Sequence, residues 1–165
     1  CPDAAAHALE HLRAVDGRGV ALRVAAPFGE FTLVDDAYNA NPASMAAAFS
    51  TLAARQPGPG GRRIVALGDM LELGANERGY HAGLAAPLSA AGIDLVFAAG
   101  PRMAALREAL PPAMAGGYAD TAEALAPIVA GALRAGDIVL VKGSNSSRMS
   151  RVVSALKALG GDVNA

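Results

Sequence analysis

Short runs of Val, Ile and Leu that are apolar on both faces, each divided from the next by a helix-period stretch, constrain this chain more than any other feature. Phe31–Val34 is followed by a helical pattern over Pro42–Arg55, then Ile64–Leu67, a helix from about Asn76 to Ala91, and Leu95–Ala98. The alternation continues through a helix near Arg102–Leu110, a weak strand near Tyr118, a helix over Ala122–Leu133, the run Ile138–Val141 and a last helix over Ser147–Leu159. Strands without a polar face suit a parallel sheet covered on both sides. The expectation is an α/β, Rossmann-like, three-layer open sheet, mostly parallel, with helices on both faces.

Two departures from this rhythm are also expected. Near the start, Val20–Val24 and Phe31–Val34 flank Pro27-Phe28-Gly29 and read as an antiparallel hairpin or meander, which gives the sheet an antiparallel N-terminal strand. Pro87 falls inside the helix expected over Asn76–Ala91 and should kink or break it. Gln56–Gly61 and Leu110–Gly117 are loops by composition. Ahead of the hairpin, Ala4–Val15 carries Leu9, Leu12 and Val15 at helical spacing and is closed by Asp16-Gly17.

Composition narrows the function. The 165 residues suffice for one domain, and 53% hydrophobic against 18% charged residues excludes a disordered chain. Fourteen basic and fifteen acidic residues give a net charge of -1, without the broad positive field of a nucleic-acid or anionic-membrane binder. Any phosphate contact must be local. One Cys, Cys1, cannot pair within the chain, and three scattered His cannot build a structural zinc site, so a reducing cytoplasm is the expected home. No apolar run approaches the ~20 residues of a membrane span. The absence of an initiator Met at position 1 suggests a fragment.

In an open α/β sheet, ligands gather beyond the carboxyl ends of the strands. Three strands end in polar motifs: Asp35-Asp36-Ala37-Tyr38-Asn39-Ala40-Asn41-Pro42, Gly68-Asp69-Met70-Leu71-Glu72-Leu73-Gly74, and Lys142-Gly143-Ser144-Asn145-Ser146-Ser147-Arg148. Asn41 and Pro42 make a good N-cap and first helical residue. Two carboxylates, a Tyr and Asn39 in the same short loop exceed what a turn requires, and could take ribose hydroxyls and a base. Asp69 could cap a turn or meet a ligand. His81 reads as a solvated or capped helix residue, and His7 with His11 as a solvated face. The chain has only two Lys, and Lys142 ends a buried strand. With Gly143, Ser144 and the amides opening a helix, Lys142 could receive a carboxylate or phosphate; otherwise it snorkels to solvent from an ordinary turn. No G-x-x-x-x-G-K-[ST] loop is present, so the chain cannot cradle a triphosphate by that device.

These motifs, in this order and with Asp16-Gly17-Arg18 and His81, resemble the C-terminal domain of the Mur ligases, in the branch that adds D-alanyl-D-alanine. The resemblance implies that residues 1–17 are the terminal helix and hinge of an absent central ATPase domain, and that residues 18–165 are the C-terminal domain. It implies a cytoplasmic, bacterial, ATP-dependent ligase that works through an acyl phosphate. Its substrates would be UDP-N-acetylmuramoyl-tripeptide and D-alanyl-D-alanine, with ATP and Mg2+ held mainly by the central domain. Arg18 would reach the nucleotide phosphates, and Asp36, Tyr38, Asn39 and Asn41 the ribose and adenine. Lys142, Gly143 and Ser144 would lie by the dipeptide and reacting carboxylate, with Lys142 and Ser144 catalytic and Asp69 on the substrate side.

The family often continues Lys-Gly-Ser with Arg. Here Asn145 follows, so that guanidinium contact does not transfer to position 145, and Arg148, the next Arg, would supply it on the substrate side. The isolated chain is expected to be inactive. The competing expectations are a free-standing nucleotide or small-ligand binding domain and a pure interaction domain; the latter leaves the polar strand ends unexplained.

Overall fold

The computed structural model describes residues 19–161. The expected helix over Ala4–Val15, His7, His11 and Arg18 therefore lie outside the described residues. Six strands form one sheet: β1 (Val20–Ala26), β2 (Gly29–Asp36), β3 (Arg63–Gly68), β4 (Leu95–Ala99), β5 (Ala115–Ala119) and β6 (Ile138–Lys142). Their order is β1-β2-β6-β3-β4-β5, with β1 antiparallel to β2 and every other pair parallel. The sheet and its antiparallel start agree with the sequence. The helices are α1 (Pro42–Ala53), α2 (Glu77–Ala82), α3 (Ala85–Ala90), α4 (Ala104–Ala109), α5 (Ala122–Ala132) and α6 (Ser150–Ala158).

Strand alternation sends Phe31, Leu33, Ile64, Ala66, Val139 and Val141 to one face, where they pack with Leu125 and Val129 of α5 and Val152 and Leu156 of α6. Val34, Val65, Leu67, Ile138 and Leu140 meet Met45 and Phe49 of α1, Leu88 of α3 and Leu106 of α4 on the other. Both faces are covered by apolar side chains, which is why the strands read as uninterrupted apolar runs.

Three local expectations need correction. The helix expected over Asn76–Ala91 is two helices, and the break falls at Gly83-Leu84 rather than at Pro87. Breaking there places Pro87 in the first turn of α3, where no helical donor is required. Leu110–Gly117 is not all loop: Pro112–Met114 forms a 3₁₀ turn and Ala115 already belongs to β5. The last helix begins at Ser150 rather than Ser147, because Asn145–Ser147 forms a separate 3₁₀ turn and Arg148 then turns left-handed at φ 59°.

At the amino end of β6 a buried carboxylate joins three segments. Asp137 is fully buried and accepts from Arg62 N (2.9 Å), Nε (3.1 Å) and Nη2 (2.8 Å), and from Arg134 N (2.9 Å). Arg62 Nη2 also donates to Ala132 O at 2.8 Å. The hydrogen bond to Asp137 raises the Arg62 pKa above its ordinary value, against the burial that lowers it. Gly61 lies so close to this joint that a Cβ there would stand 1.9 Å from Gly136 O.

Candidate functional site at the carboxyl rim

The parallel register sets Asp36 of β2 beside Lys142 of β6, and Lys142 beside Leu67 of β3. The first and third polar motifs therefore meet. Lys142 is 3% exposed and does not snorkel. Its Nζ donates to Asp36 Oδ2 at 2.8 Å and to Asn39 O at 3.0 Å. A buried ammonium is tolerable only when paired and hydrogen-bonded in this way. The Asp36 side chain keeps 23% of its surface exposed. Its neighbour Asp35 is buried, with Oδ1 accepting from Ala37 N at 3.3 Å.

The rest of that loop divides between scaffold and surface. Asn41 caps α1, accepting from Ser44 N at 2.8 Å, while its own N–H donates to Ser44 Oγ at 3.0 Å. The structure therefore gives Asn41 the capping role, with Pro42 opening the helix. Asn39 Oδ1 accepts from Ala40 N at 2.8 Å, and Tyr38 and Asn39 stand exposed at the loop's tip. Asp36 and Lys142 both line a cleft of about 330 Å³ between α1 and the sheet, with Ser44, Arg55, Val34 and Leu140.

The second motif joins through the backbone: Ser144 N donates to Asp69 O at 3.1 Å. Ser144 is buried and caps the following 3₁₀ turn, its Oγ accepting from Ser147 N at 3.3 Å. The Ser147 amide is thus spent on this turn, and α6 begins farther on, at Ser150. Gly143 is required by packing within the chain. A Cβ there would lie 2.5 Å from Ser147 Oγ and 3.1 Å from Gly68 Cα, so the close approach it permits is to this chain's own turn.

Beyond Ser144, Arg148 pairs with Glu123 at 3.3 Å. Asp69, Gly100, Asp120, Glu123, Ser147 and Arg148 line a second cleft, of about 230 Å³. Asp69 is buried, with Oδ1 accepting from Met103 N at 3.0 Å and Oδ2 lying 3.5 Å from Arg102 Nη1. Arg102 also donates to Glu77 at 2.8 Å, and this hydrogen bond, more than the charge of Glu77, raises its pKa. Asp69 thus caps the 3₁₀ turn ahead of α4 while facing the cleft.

His81 departs from its expected solvated or capped role. It is fully buried; Nε2 accepts from Met70 N at 3.0 Å, and Nδ1 lies 2.7 Å from Glu77 O. The contacts select the tautomer with hydrogen on Nδ1, and the ring clips the loop after β3 onto α2. His81→Ala should cost about 2 to 4 kcal/mol, from the orphaned Met70 N–H and the cavity left behind. Urea unfolding of wild type and variant would measure this, and a loss below about 1 kcal/mol would contradict it.

The sequence reading missed Ser44, Arg102 and Glu77. Ser44 carried a findable signal, standing three residues after Asn41 at the reciprocal capping position. Among the described residues, no group of His, Cys, Asp or Glu is assembled to hold a metal ion, and no helix is long and apolar enough to cross a membrane.

Comparison with known proteins places this chain in a family. The profile described as "Mur ligase, glutamate ligase domain" matches residues 22–145. The Escherichia coli K12 UDP-N-acetylmuramoyl-tripeptide--D-alanyl-D-alanine ligase is 36% identical over 162 residues, which covers 96% of this chain and 33% of that protein. The Bacillus subtilis protein of the same name is 30% identical over 159 residues, covering 94% and 34%. Among solved structures, MurF from Acinetobacter baumannii superposes with a TM-score of 0.77 at 26% identity, covering 92% of this chain and 32% of that one. MurF from Thermotoga maritima, in complex with ADP, gives 0.72 at 26% identity, covering 90% and 32%. The chain spans about a third of the length of these relatives. It belongs to the Mur ligase family and has the fold of that family's C-terminal domain.

Proposed function

We propose that this chain is the closing domain of a longer ATP-dependent ligase, one that joins D-alanyl-D-alanine to UDP-N-acetylmuramoyl-tripeptide in peptidoglycan precursor synthesis. The observation that carries the reading is the Asp36–Lys142 ion pair, which fastens two polar motif loops into one half of a cleft at the carboxyl rim. Likeness to relatives bearing that activity in their names supports it.

The γ-phosphoryl of ATP passes to the terminal carboxylate of the tripeptide, giving an acyl phosphate and ADP. The dipeptide amine then attacks the acyl carbon and loses a proton, and the tetrahedral intermediate collapses to the new amide and inorganic phosphate. Such chemistry relies mainly on positioning and charge neutralisation. Asp36, Tyr38 and Asn39 would meet the ribose and adenine, with Asn41 setting the helix behind them. Arg18, outside the described residues, would reach the phosphates. Gly143, Ser144, Asp69 and Arg148 would border the dipeptide, with Ser144 nearest the reacting carboxylate and Lys142 at the seam between the two sides.

ATP would be held chiefly by the part of the protein outside this chain, and Mg2+ finds no ligand set among the described residues. A cytoplasmic, bacterial setting follows from ATP and the peptidoglycan precursor as substrates.

Phosphate release tests the proposal. The full-length protein should release phosphate steadily only when ATP, the tripeptide substrate and D-alanyl-D-alanine are all present, whereas residues 1–165 alone should release none. Release without dependence on the dipeptide would overturn the assigned reaction, and steady turnover by the fragment would overturn its role as half a site.

A further inference from the structure

We infer that Lys142 is a positioning residue for the nucleotide side of the site, acting through Asp36, and makes no contact with the dipeptide. The inference rests on the proposed placement of Asp36 against the nucleotide. Both acceptors of the Lys142 ammonium, Asp36 Oδ2 and Asn39 O, belong to the loop after β2. Neither belongs to its own turn. Lys142 lines the cleft beside α1 together with Asp36 and Ser44, whereas the cleft of Asp69 and Arg148 is bordered from this turn by Ser146, Ser147 and Arg148. The side chain is 4% exposed, which leaves little surface for a second partner on the dipeptide side.

The pairing does two things. It fixes one oxygen of Asp36 and the backbone of Asn39 at the same point, so the short loop carrying Tyr38 is anchored from both ends: by Lys142 at Asp36 and Asn39, and by the Asn41–Ser44 cap. It also sets a cation against a carboxylate that would otherwise repel an approaching polyphosphate. A carboxylate held in this way presents its remaining exposed surface in one orientation, and the ordering is complete before the ligand arrives.

The experiment uses the full-length protein and measures three quantities for each variant: KM for ATP, KM for D-alanyl-D-alanine, and Kd for ADP by calorimetry. Lys142→Met should raise the ATP KM and ADP Kd by about tenfold or more while the dipeptide KM stays within about twofold. Asp36→Asn should show the same pattern, and the double variant should be no worse than the poorer single one, because the two residues act as a unit. Lys142→Arg keeps a cation and donors, and should recover part of the ADP affinity.

A raised dipeptide KM with an unchanged ADP Kd would overturn the inference, as would defects that multiply in the double variant. If Lys142→Met fails to fold, Lys142→Arg carries the same comparison, with a shifted ADP Kd and an unmoved dipeptide KM. If the wild-type protein binds ADP but shows no dipeptide-dependent turnover, the assigned reaction fails, while the ADP arm still decides the role of Lys142.

Discussion

Asp137→Ala is expected to lower the stability of this chain by about 3 to 5 kcal/mol, the largest single-site loss anticipated here. The carboxylate is fully buried and receives four hydrogen bonds, three from Arg62 and one from Arg134 N. Removing it leaves two backbone N–H groups without their acceptor. It also leaves a guanidinium, 19% exposed, that has lost its counter-charge. The cost is that of stranding these groups and exceeds the net worth of the intact pair. For a chain of this size the loss corresponds to a fall in Tm on the order of 10 °C. Asp137→Asn keeps the shape and part of the hydrogen bonding, so it should fall between the variant and wild type. Thermal and urea unfolding would check the series, and a loss under about 1 kcal/mol for Asp137→Ala would show that water replaces the carboxylate.

Asp36→Ala in the full-length protein should reduce kcat/KM for the proposed reaction on the order of 100-fold, the scale on which misplacing a bound reactant is felt. Two effects combine. The proposed ribose contact disappears, and Lys142, 3% exposed, keeps only Asn39 O as an acceptor. The second effect loosens the loop that carries Tyr38, so the nucleotide terms should suffer more than the dipeptide terms. Steady-state phosphate release at several ATP concentrations, run below the variant's unfolding temperature, would measure the change. A rate within about threefold of wild type would remove Asp36 from the site.

Much of this arrangement was legible in local pattern. Apolar runs such as Ile64–Leu67 and Ile138–Val141 announced strands because both faces of the sheet are covered, and Asn41-Pro42 announced the start of α1 because capping is a short-range device. The polar strand ends were visible for the same reason. Those ends were expected on one rim, and neighbours in register meet there as expected; the specific side-chain pairings that packing assembles from distant segments were not legible. Nothing near Asp137 names Arg62, which lies 75 positions away, and nothing near Lys142 names Asp36, which lies 106 away. His81 looked like an ordinary helix residue because its partner is a backbone amide, which no residue type advertises. Pro87 marked the interrupted helix, but the break fell where it left proline in a first turn. A Cβ at Gly143 would meet the Ser147 side chain, a packing need that no local pattern announces.

The strand order also bears on how the sheet is joined. Among the described residues β6 is the last strand in sequence, yet it lies between β2 and β3 and alone joins the pair β1-β2 to the trio β3-β4-β5. Without β6 in place, β2 and β3 would each present an open flank, and β6 closes both. The rim is completed in the same step, because the strand that zips the two ladders together carries Lys142 to Asp36.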